Sequence, residues 1–259
     1  MDLKIADKHA LVTGAGRGIG RAVAKCLAKE GVNVTAVART NSDLATLKEE
    51  ISDFTGKCSI ISMDLMPEGA PGALIEQIIS DDMGSLDIVV HNIGGTMNVI
   101  DPFCSIKEWR DLYRFNFEIA LEINQLVLPT MRDKGWGRVV QNSSIAAMEN
   151  QGPVSYCAIK AALTAYTRSM GGVMAPHGVV MSAVLPGAVY TEGGYWDSAS
   201  RCTPGHVEKF LTERQRIGRF GRPEEIGNYI TYLCSDLASF NTGSIVPVDG
   251  GQGRGYFGQ

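Results

Sequence analysis

The stretch Thr13-Gly14-Ala15-Gly16-Arg17-Gly18-Ile19-Gly20 lies between an apolar run at residues 10–13 and a helical pattern at residues 21–29. Gly14 permits a tight turn, whereas Gly18 and Gly20 let the backbone approach a phosphate and let a helix approach a strand. The helix that starts near Gly18 presents free N–H groups and the positive end of its dipole. A strand, a glycine loop and a helix in this order predict a site for the pyrophosphate of a dinucleotide.

The rest of the chain alternates between short apolar runs and helix-length patterns. The apolar runs predict strands at residues 10–13, 32–38, 58–63, 87–91, 138–141, 179–185 and 244–248. The helical patterns occupy residues 21–29, 43–54, 68–82, 106–132, 155–175 and 223–235. This alternation implies right-handed βαβ crossovers. It predicts an α/β protein with a doubly wound Rossmann fold, in which a seven-stranded parallel sheet carries helices on both faces.

The composition indicates one domain over residues 1–259, long enough to bury a large core. The net charge of −4 gives no basic surface that would attract nucleic acid. Residues 169–191 carry no Asp, Glu, Lys or Arg, but Pro176 and Pro186 break the stretch, so we expect no membrane span. The six cysteines form no CxxC pair, which argues against a metal site or a disulfide framework and predicts a cytoplasmic protein.

A second motif, Tyr156-Cys157-Ala158-Ile159-Lys160, lies far downstream in a helical pattern and follows Ser143-Ser144. Tyr156 and Lys160 are four residues apart, so they share one face of the helix. A nearby ammonium favours the phenolate and is expected to lower the Tyr156 pKa from about 10 toward neutral pH. Tyr156 can then donate a proton to a carbonyl oxygen or accept one from an alcohol. A serine hydroxyl at the end of the preceding strand can orient that oxygen.

The glycine spacing T-G-x-x-x-G-x-G and the Tyr156–Lys160 pair resemble the short-chain dehydrogenase/reductase family, and the resemblance runs over residues 8–251. Residues 219–226 and the end of the last strand resemble its 3-oxoacyl-carrier-protein reductase branch. The resemblance implies a catalytic set with two substrate-contacting members, Ser144 and Tyr156. The set is Asn116, Ser144, Tyr156 and Lys160.

Two counts along the chain disagree about the catalytic serine. Counting back thirteen residues from Tyr156 selects Ser143, whereas counting forward from Gly137-Arg138 selects Ser144. We favour Ser144, because strand register is rigid and loops absorb a one-residue deletion. Asn116 resembles the family's helix asparagine, which holds a water molecule beside the lysine.

The cofactor preference is predicted from the end of the second strand. An acid at that position would hold the ribose 2′-hydroxyl of NAD, but this strand ends in Ala38 followed by Arg39. Arg39 can bind a 2′-phosphate, and Arg17 in the glycine loop can approach the same group, so the expected cofactor is NADP (NADPH). The resemblance implies a larger cofactor-binding set: Gly14, Arg17, Gly18, Ile19, Gly20, Arg39, Asp64, Leu65, Asn92, Gly94, Tyr156, Lys160, Pro186, Gly187, Val189 and Thr191.

Two residues at the ends of predicted strands, Asp64 and His91, could have roles other than binding the cofactor or catalysis. Asp64 could contact the adenine or could instead cap the following helix. His91 stands where the family usually has asparagine, and we expect it to be a hydrogen-bonded core histidine.

Two segments toward the carboxyl end are expected to serve the substrate side or to lack regular structure. Residues 192–216 would form a short helical substrate lid. Its aromatic side chains suggest a partly apolar or ring-bearing substrate, or they pack the lid onto the domain. Residues 252–259 form a glycine-rich C-terminal tail that is expected to run free, unless Tyr256 and Phe257 dock on a neighbouring subunit. The side chains expected to line the substrate pocket are Thr96, Met97, Met148, Glu149 and Asn150.

The expected function is hydride transfer between NADP(H) and a carbonyl or secondary alcohol substrate, with a ketone reductase favoured and a 3-oxoacyl thioester reductase as an alternative. A non-catalytic NADP-sensing module would not need to keep the four catalytic residues. A methyltransferase would need an acid at the end of the second strand. Helices 106–132 and 155–175 carry more apolar residues than one core-facing stripe requires, and the family pairs these helices, so we expect a homotetramer or at least a dimer.

Overall fold

The structure is a computed structural model that describes residues 1–81 and 84–255. Within this part of the chain, seven parallel strands form one sheet in the order β3-β2-β1-β4-β5-β6-β7. The strands are β1 (His9–Thr13), β2 (Asn33–Ala38), β3 (Cys58–Ser62), β4 (Ile88–His91), β5 (Gly137–Asn142), β6 (Val179–Pro186) and β7 (Ile245–Val248). The strand order reverses between β1 and β4, and this is the point where doubly wound sheets bind ligands.

The helices cover both faces of the sheet. They are α1 (Gly18–Lys29), α2 (Asn41–Ile51), α3 (Ala70–Ser80), α4 (Ile106–Tyr113), α5 (Ile119–Lys134), α6 (Val154–Met174), α7 (Tyr195–Cys202), α8 (Pro204–Glu213) and α9 (Pro223–Leu233). The predicted fold class is confirmed. None of the helices in the described residues combines the length and the apolar character that crossing a membrane would require.

Neighbouring residues of each strand point to opposite faces, so the sheet divides the core into two layers. Val12 packs in the layer that contains Leu27 of α1 and Ile230 of α9. Leu11, one residue earlier, packs in the layer that contains Ile123 of α5. The five strands between the sheet edges are buried on both sides, which explains why they appear in the sequence as continuous apolar runs.

One predicted helix is interrupted. The sequence predicts a single helix over residues 106–132, but the structure has α4 and α5 joined by the π-helical turn Arg114–Glu118. The side chain of Asn116 donates a hydrogen bond to the Leu112 carbonyl at 3.0 Å, in the middle of this wider turn. A π turn has the same local composition as an α-helix, so the periodic pattern does not reveal it.

Candidate active site

The glycine loop brings backbone close to the cleft at the ends of β1 and β4. Gly14 and Gly18 adopt φ values of 66° and 56°, a left-handed region that strongly favours glycine. A Cβ at Gly18 would lie 2.8 Å from the Cγ2 atom of Thr191. A Cβ at Gly20 would lie 2.3 Å from the carbonyl oxygen of Gly14, so Gly20 lets α1 pack against the loop. The glycines therefore shape a phosphate cradle at the amino terminus of α1.

Two asparagines fasten the carboxyl ends of three strands. Asn92 follows β4 and donates from Nδ2 to the Gly14 carbonyl at 3.0 Å, and its backbone N–H donates to the Thr13 hydroxyl at 3.0 Å. Asn142 at the end of β5 donates from Nδ2 to Asn92 Oδ1 at 2.7 Å. Sequence reasoning found Asn92 but missed Asn142, although its position at a strand end was a usable signal.

A cleft of about 450 Å³ runs along these strand ends. It is lined by all the predicted cofactor-binding residues except Gly20, which packs behind it. Ser144 also lines the cleft, whereas Asn116 lies beside it. Thr40, whose hydroxyl could join Arg39 at a 2′-phosphate, lines the cleft as well. The further lining residues are Gly16, Ala38, Asp43, Met63, Met66, Ile93, Phe115, Ile119, Asn142, Ser143, Ala188 and Trp196.

The two arginines at the rim of the cleft differ in their contacts. Arg39 is exposed, and its guanidinium makes no hydrogen bond or ion pair within residues 1–81 and 84–255. Arg17 is exposed as well, but its Nη1 donates to the Gly193 carbonyl at 3.1 Å, at the start of the predicted lid. A free guanidinium at this rim suits a 2′-phosphate.

Asp64 does not cap a helix. Its Oδ1 accepts a hydrogen bond from the Met66 N–H at 3.1 Å, and the N-cap of α3 is Gly69. The helix-cap alternative is therefore wrong, because the carboxylate turns back on its own loop and the helix starts later. The adenine contact stays a prediction.

The structure brings Tyr156, Ser144 and Lys160 together at one wall of the cleft. The Ser144 hydroxyl lies beside the Tyr156 phenol and lowers the pKa of that phenol, and Ser144 Oγ also accepts a hydrogen bond from the Ala146 N–H at 3.2 Å. Lys160 lies 5.6 Å from the centre of the Tyr156 ring, and its Nζ donates to the Asn142 carbonyl at 3.5 Å. Ser143 points elsewhere, because its hydroxyl donates to the Lys160 carbonyl at 3.4 Å. The geometry thus favours Ser144 as the serine of the reacting centre.

The expected lowering of the Tyr156 pKa is wrong for this structure. Burial raises the pKa of Tyr156 to about 12, although the neighbouring Ser144 side chain opposes the rise. Burial also lowers the pKa of Lys160 to about 8, and this side chain is only 2% exposed. Loss of solvent therefore dominates the pKa of both groups. The phenol stays protonated at neutral pH, ready to donate.

Asn116 is buried in the π-helical turn and binds the loop after β4. Its Oδ1 accepts from the Gly95 N–H at 2.8 Å, and its Nδ2 donates to the Gly95 carbonyl at 2.9 Å. A Cβ on Gly94 would lie 2.7 Å from both Asn116 Oδ1 and Lys160 Nζ. Gly94 therefore allows Asn116 and Lys160 to approach the same stretch of backbone.

His91 is a hydrogen-bonded core histidine, as expected. Its Nε2 lies 2.8 Å from Asn124 Oδ1, and burial lowers the pKa of this imidazole to about 4. Asn124 in turn donates from Nδ2 to the Tyr166 hydroxyl at 3.2 Å. The neutral imidazole therefore belongs to a polar network behind the cleft.

The segment over residues 192–216 contains α7 and α8, two helices instead of one. Trp196 lines the cleft and packs on Phe210 and Phe220, with ring centres 4.2 and 4.7 Å away. Asp197 fastens the start of the segment, because its carboxylate accepts hydrogen bonds from the Tyr190 hydroxyl at 2.7 Å and the Gly193 N–H at 2.8 Å. The aromatic rings therefore pack the two helices onto the domain, and Trp196 also faces the cleft.

The residues expected to line the substrate pocket lie outside this cleft. None of Thr96, Met97, Met148, Glu149 and Asn150 lines it. The Glu149 carboxylate instead accepts hydrogen bonds from the backbone N–H groups of Arg254 and Gly255. The expectation that the tail runs free is therefore wrong for residues 252–255. Tyr256 and Phe257 lie outside the described residues.

No cluster of three or more His, Cys, Asp or Glu side chains in the described part of the chain could hold a metal ion. The six cysteines are free thiols. The groups at the reacting wall of the cleft are the Ser144 hydroxyl, the Tyr156 phenol and the Lys160 ammonium.

Comparison with known proteins agrees with this geometry. A family model described as enoyl-(acyl carrier protein) reductase matches residues 14–252. The chain belongs to the short-chain dehydrogenase/reductase family. The predicted family is thereby confirmed, and its match covers the glycine loop, the Tyr156–Lys160 pair and Gln252.

Several relatives are similar over nearly their whole length. The chain is 33% identical to a 3-oxoacyl-[acyl-carrier-protein] reductase of Aquifex aeolicus, over 97% of this chain and 99% of that protein. It is 34% identical to an L-xylulose reductase of Bos taurus, over 97% of this chain and 98% of that protein. The solved structure of an L-sorbose reductase from Gluconobacter frateurii, complexed with NADPH and L-sorbose, aligns with a TM-score of 0.92 and 26% identity, over 99% of this chain and 100% of that one.

Proposed function

We propose that this protein reduces a ketone to a secondary alcohol with NADPH, and that Tyr156 is the proton donor. The chain is an oxidoreductase of C=O and CH–OH groups, and NADP(H) is its cofactor. The observation that carries the proposal is the position of Tyr156. Its protonated phenol lies beside the Ser144 hydroxyl and the buried Lys160 and faces the cleft.

The residues present fit the cofactor. The positive φ values of Gly14 and Gly18 and the absence of a side chain at Gly18 leave a backbone cradle at the start of α1. Among the residues that the structure describes, the Arg39 guanidinium at the rim has no polar partner, and Arg17 lies at the same rim. The turn after β6, with Val189 and Thr191, borders the same cleft and would orient the nicotinamide. NADPH, when bound, supplies the hydride.

The side chains of the chain handle the proton. The Ser144 hydroxyl orients the substrate oxygen, and Tyr156 donates its proton to that oxygen as negative charge develops there. Lys160 holds a positive charge next to the phenolate that remains. Asn116 fixes the Gly95 backbone that flanks Lys160 and keeps a route for a replacement proton from solvent.

The substrate is a ketone whose carbonyl reaches Ser144 and Tyr156 beside an aromatic wall. Trp196 and Phe115 border the cleft, so part of the substrate contacts aromatic rings. The relatives include reductases named for ketoses and for 3-oxoacyl thioesters, and both substrate classes carry such a ketone. We propose that residues 192–216 act as a lid over this part of the cleft.

A turnover assay on a panel of carbonyl compounds tests the proposal. The panel contains L-xylulose, L-sorbose, an acetoacetyl thioester and a steroid ketone, each with NADPH and with NADH. We expect turnover of at least one ketone with NADPH preferred. Tight NADPH binding without turnover of any ketone would indicate the non-catalytic sensing module instead.

The protein is further proposed to be a cytoplasmic homotetramer, or at least a dimer. Ile106, Leu126 and Val173 expose 66%, 46% and 62% of their surface on α4, α5 and α6. A stripe of small exposed residues on α6, including Ala158, Ala162 and Ala165, would allow a second helix to approach closely. Light scattering at micromolar concentration tests this, because a mass of 27.8 kDa would show a monomer.

A further inference from the structure

Gln252 connects the carboxyl-terminal segment to two loops beside the reacting centre. Its side chain is 6% exposed, and both ends of its amide are used. Oε1 accepts a hydrogen bond from the Ala188 N–H at 2.7 Å, and Nε2 donates to Gln151 Oε1 at 2.9 Å. The first contact reaches the turn after β6, and the second reaches the loop between Ser144 and Tyr156.

Glu149 completes the connection from the other side of that loop. Its Oε2 accepts from Gln151 Nε2 at 2.5 Å, and its Oε1 accepts from the Gly255 N–H at 2.6 Å and from the Arg254 N–H. Burial raises the pKa of this carboxyl, but the hydrogen bonds from Gly255, Gln151 and Arg254 outweigh burial and hold the pKa below its usual value. Glu149 is therefore a charged anchor for the end of the chain.

Residues 252–255, which we name the C-terminal strap, pack against neighbouring segments at two positions where glycine leaves room for a side-chain oxygen. A Cβ on Gly187 would lie 2.7 Å from Gln252 Oε1, and a Cβ on Gly253 would lie 2.9 Å from Glu149 Oε1. Arg254 also donates from Nη2 to the Glu213 carbonyl at 2.6 Å, at the end of α8. The strap thus joins three segments: the turn after β6, which lines the cleft, the loop at residues 149–151 and the end of α8.

We propose that Gln252 is a positioning residue for the reaction. The turn after β6 carries Val189 and Thr191 toward the cleft, while the 149–151 loop lies between Ser144 and Tyr156 in the chain. Gln252 touches neither substrate nor cofactor and acts by fixing the distance between these two segments. The inference rests on the proposed function, in which one segment orients the hydride donor and the other adjoins the proton donor. It also assigns the Glu149 carboxylate to the strap and not to substrate.

The single substitution Gln252→Met tests the proposal, because methionine keeps the volume and loses both hydrogen bonds. We expect kcat to fall about 10-fold, since small misplacements of reacting groups are costly, while the NADPH dissociation constant stays within about threefold. Gln252→Glu keeps the acceptor for the Ala188 N–H and loses the donor to Gln151, so an intermediate loss is expected. Combining Gln252→Met with Gln151→Met is expected to cost less than the product of the two single losses.

A pair of truncations separates the strap from the residues beyond it. Ending the chain after Gly251 removes the strap, and ending it after Gly255 keeps it. We expect the first truncation to lower kcat at least as much as Gln252→Met does, and the second to match the full-length protein. Hydrogen exchange supplies a readout that needs no substrate: the Ala188 amide and the 149–151 loop are expected to exchange faster in Gln252→Met.

The outcomes separate this proposal from the proposed function. Slower turnover with faster exchange supports the positioning role. A lower melting temperature with unchanged kcat and KM shows a structural role only and overturns the proposal, as does unchanged exchange at Ala188. If the full-length protein turns over no ketone, the proposed function fails. Hydrogen exchange of Gln252→Met then tests the strap without a substrate. Unchanged exchange at the Ala188 amide overturns the proposal. Faster exchange shows that Gln252 holds the two loops together but has no role in reduction.

Discussion

The reacting centre and the cofactor rim border the same cleft but are built in opposite ways. Lys160 is 2% exposed, and burial shifts its pKa and that of Tyr156 in opposite directions. Arg17 and Arg39 are exposed, and the Arg39 guanidinium has no polar partner within the described ranges. The pKa values of the groups that handle the proton are therefore set by burial. Cofactor preference depends instead on exposed charges that can bind a phosphate. Substitutions at the two regions are expected to differ in size and kind.

The largest effect is expected at the buried centre, from Tyr156→Phe. The ring remains and the proton is lost, so turnover is expected to fall by a factor of about 10² or more while NADPH binding stays nearly intact. Steady-state kinetics and a fluorescence titration with NADPH measure the two quantities. Tyr166→Phe, on the same helix but away from the cleft, is the matched control. Turnover of Tyr156→Phe within threefold of wild type would remove the proton-donor role.

A smaller loss is expected from Ser144→Ala, compared with Ser143→Ala. The first removes the hydroxyl that contacts the phenol, and the expected loss of kcat is about 10- to 100-fold. The second removes a hydroxyl that faces the Lys160 carbonyl, and turnover is expected to stay within about threefold, because that hydroxyl does not reach the reacting oxygen. Equal losses in the two variants would contradict the choice of Ser144.

At the rim, Arg39→Asp is expected to shift preference from NADPH toward NADH. The change removes a charge-assisted contact worth about 1.5–3 kcal/mol, which corresponds to at least about a 10-fold change in the ratio of catalytic efficiencies. Lys57→Asp, which makes the same change of charge at the opposite end of the strands, is expected to leave the ratio unaltered. An unchanged ratio for Arg39→Asp would show that Arg39 does not bind the phosphate.

The smallest effect concerns stability, and here the substitution is expected to stabilise the folded protein. The folded-state pKa of Lys160 is about 8 against an ordinary 10.5, so folding costs free energy while this amine is charged. Lys160→Met is expected to raise the free energy of unfolding by about 1–3 kcal/mol at pH 7. The cost is fully present below pH 8 and disappears as pH rises to 10.5, so the difference between variant and wild type is expected to shrink over that window. Urea unfolding at pH 7 and pH 10 measures it, and a difference that does not change with pH would contradict the argument.

The features that the sequence predicted well are local ones. The glycine loop, the strand that precedes it and the helix that follows it form one continuous stretch, so their pattern specifies their geometry. The Tyr156–Lys160 spacing was informative for the same reason, because residues that are four positions apart lie on the same face of a helix. The strand pattern likewise indicated the parallel sheet, since buried parallel strands are apolar throughout.

The features that the sequence missed depend on which distant segments meet. The direction of the Tyr156 pKa follows from burial, which no spacing along the chain reports. Asn142 and Gln252 act through partners about 50 and 100 residues away; the strand-end position of Asn142 hints at a role but names no partner, and Gln252 gives no sign of its partner at all. The π-helical turn at Asn116 has the composition of an ordinary helix, so only the side chain's contacts with Leu112 and Gly95 reveal it.

The order of the glycine loop and the strap along the chain has a consequence for biosynthesis. A ribosome adds about 5–20 residues per second, so Gln252 follows Gly20 after roughly 12–46 s. The glycine loop and its strand therefore emerge well before the residues that hold Ala188 and Glu149. A nascent chain can assemble its phosphate cradle while the loops beside the cleft are still unfastened.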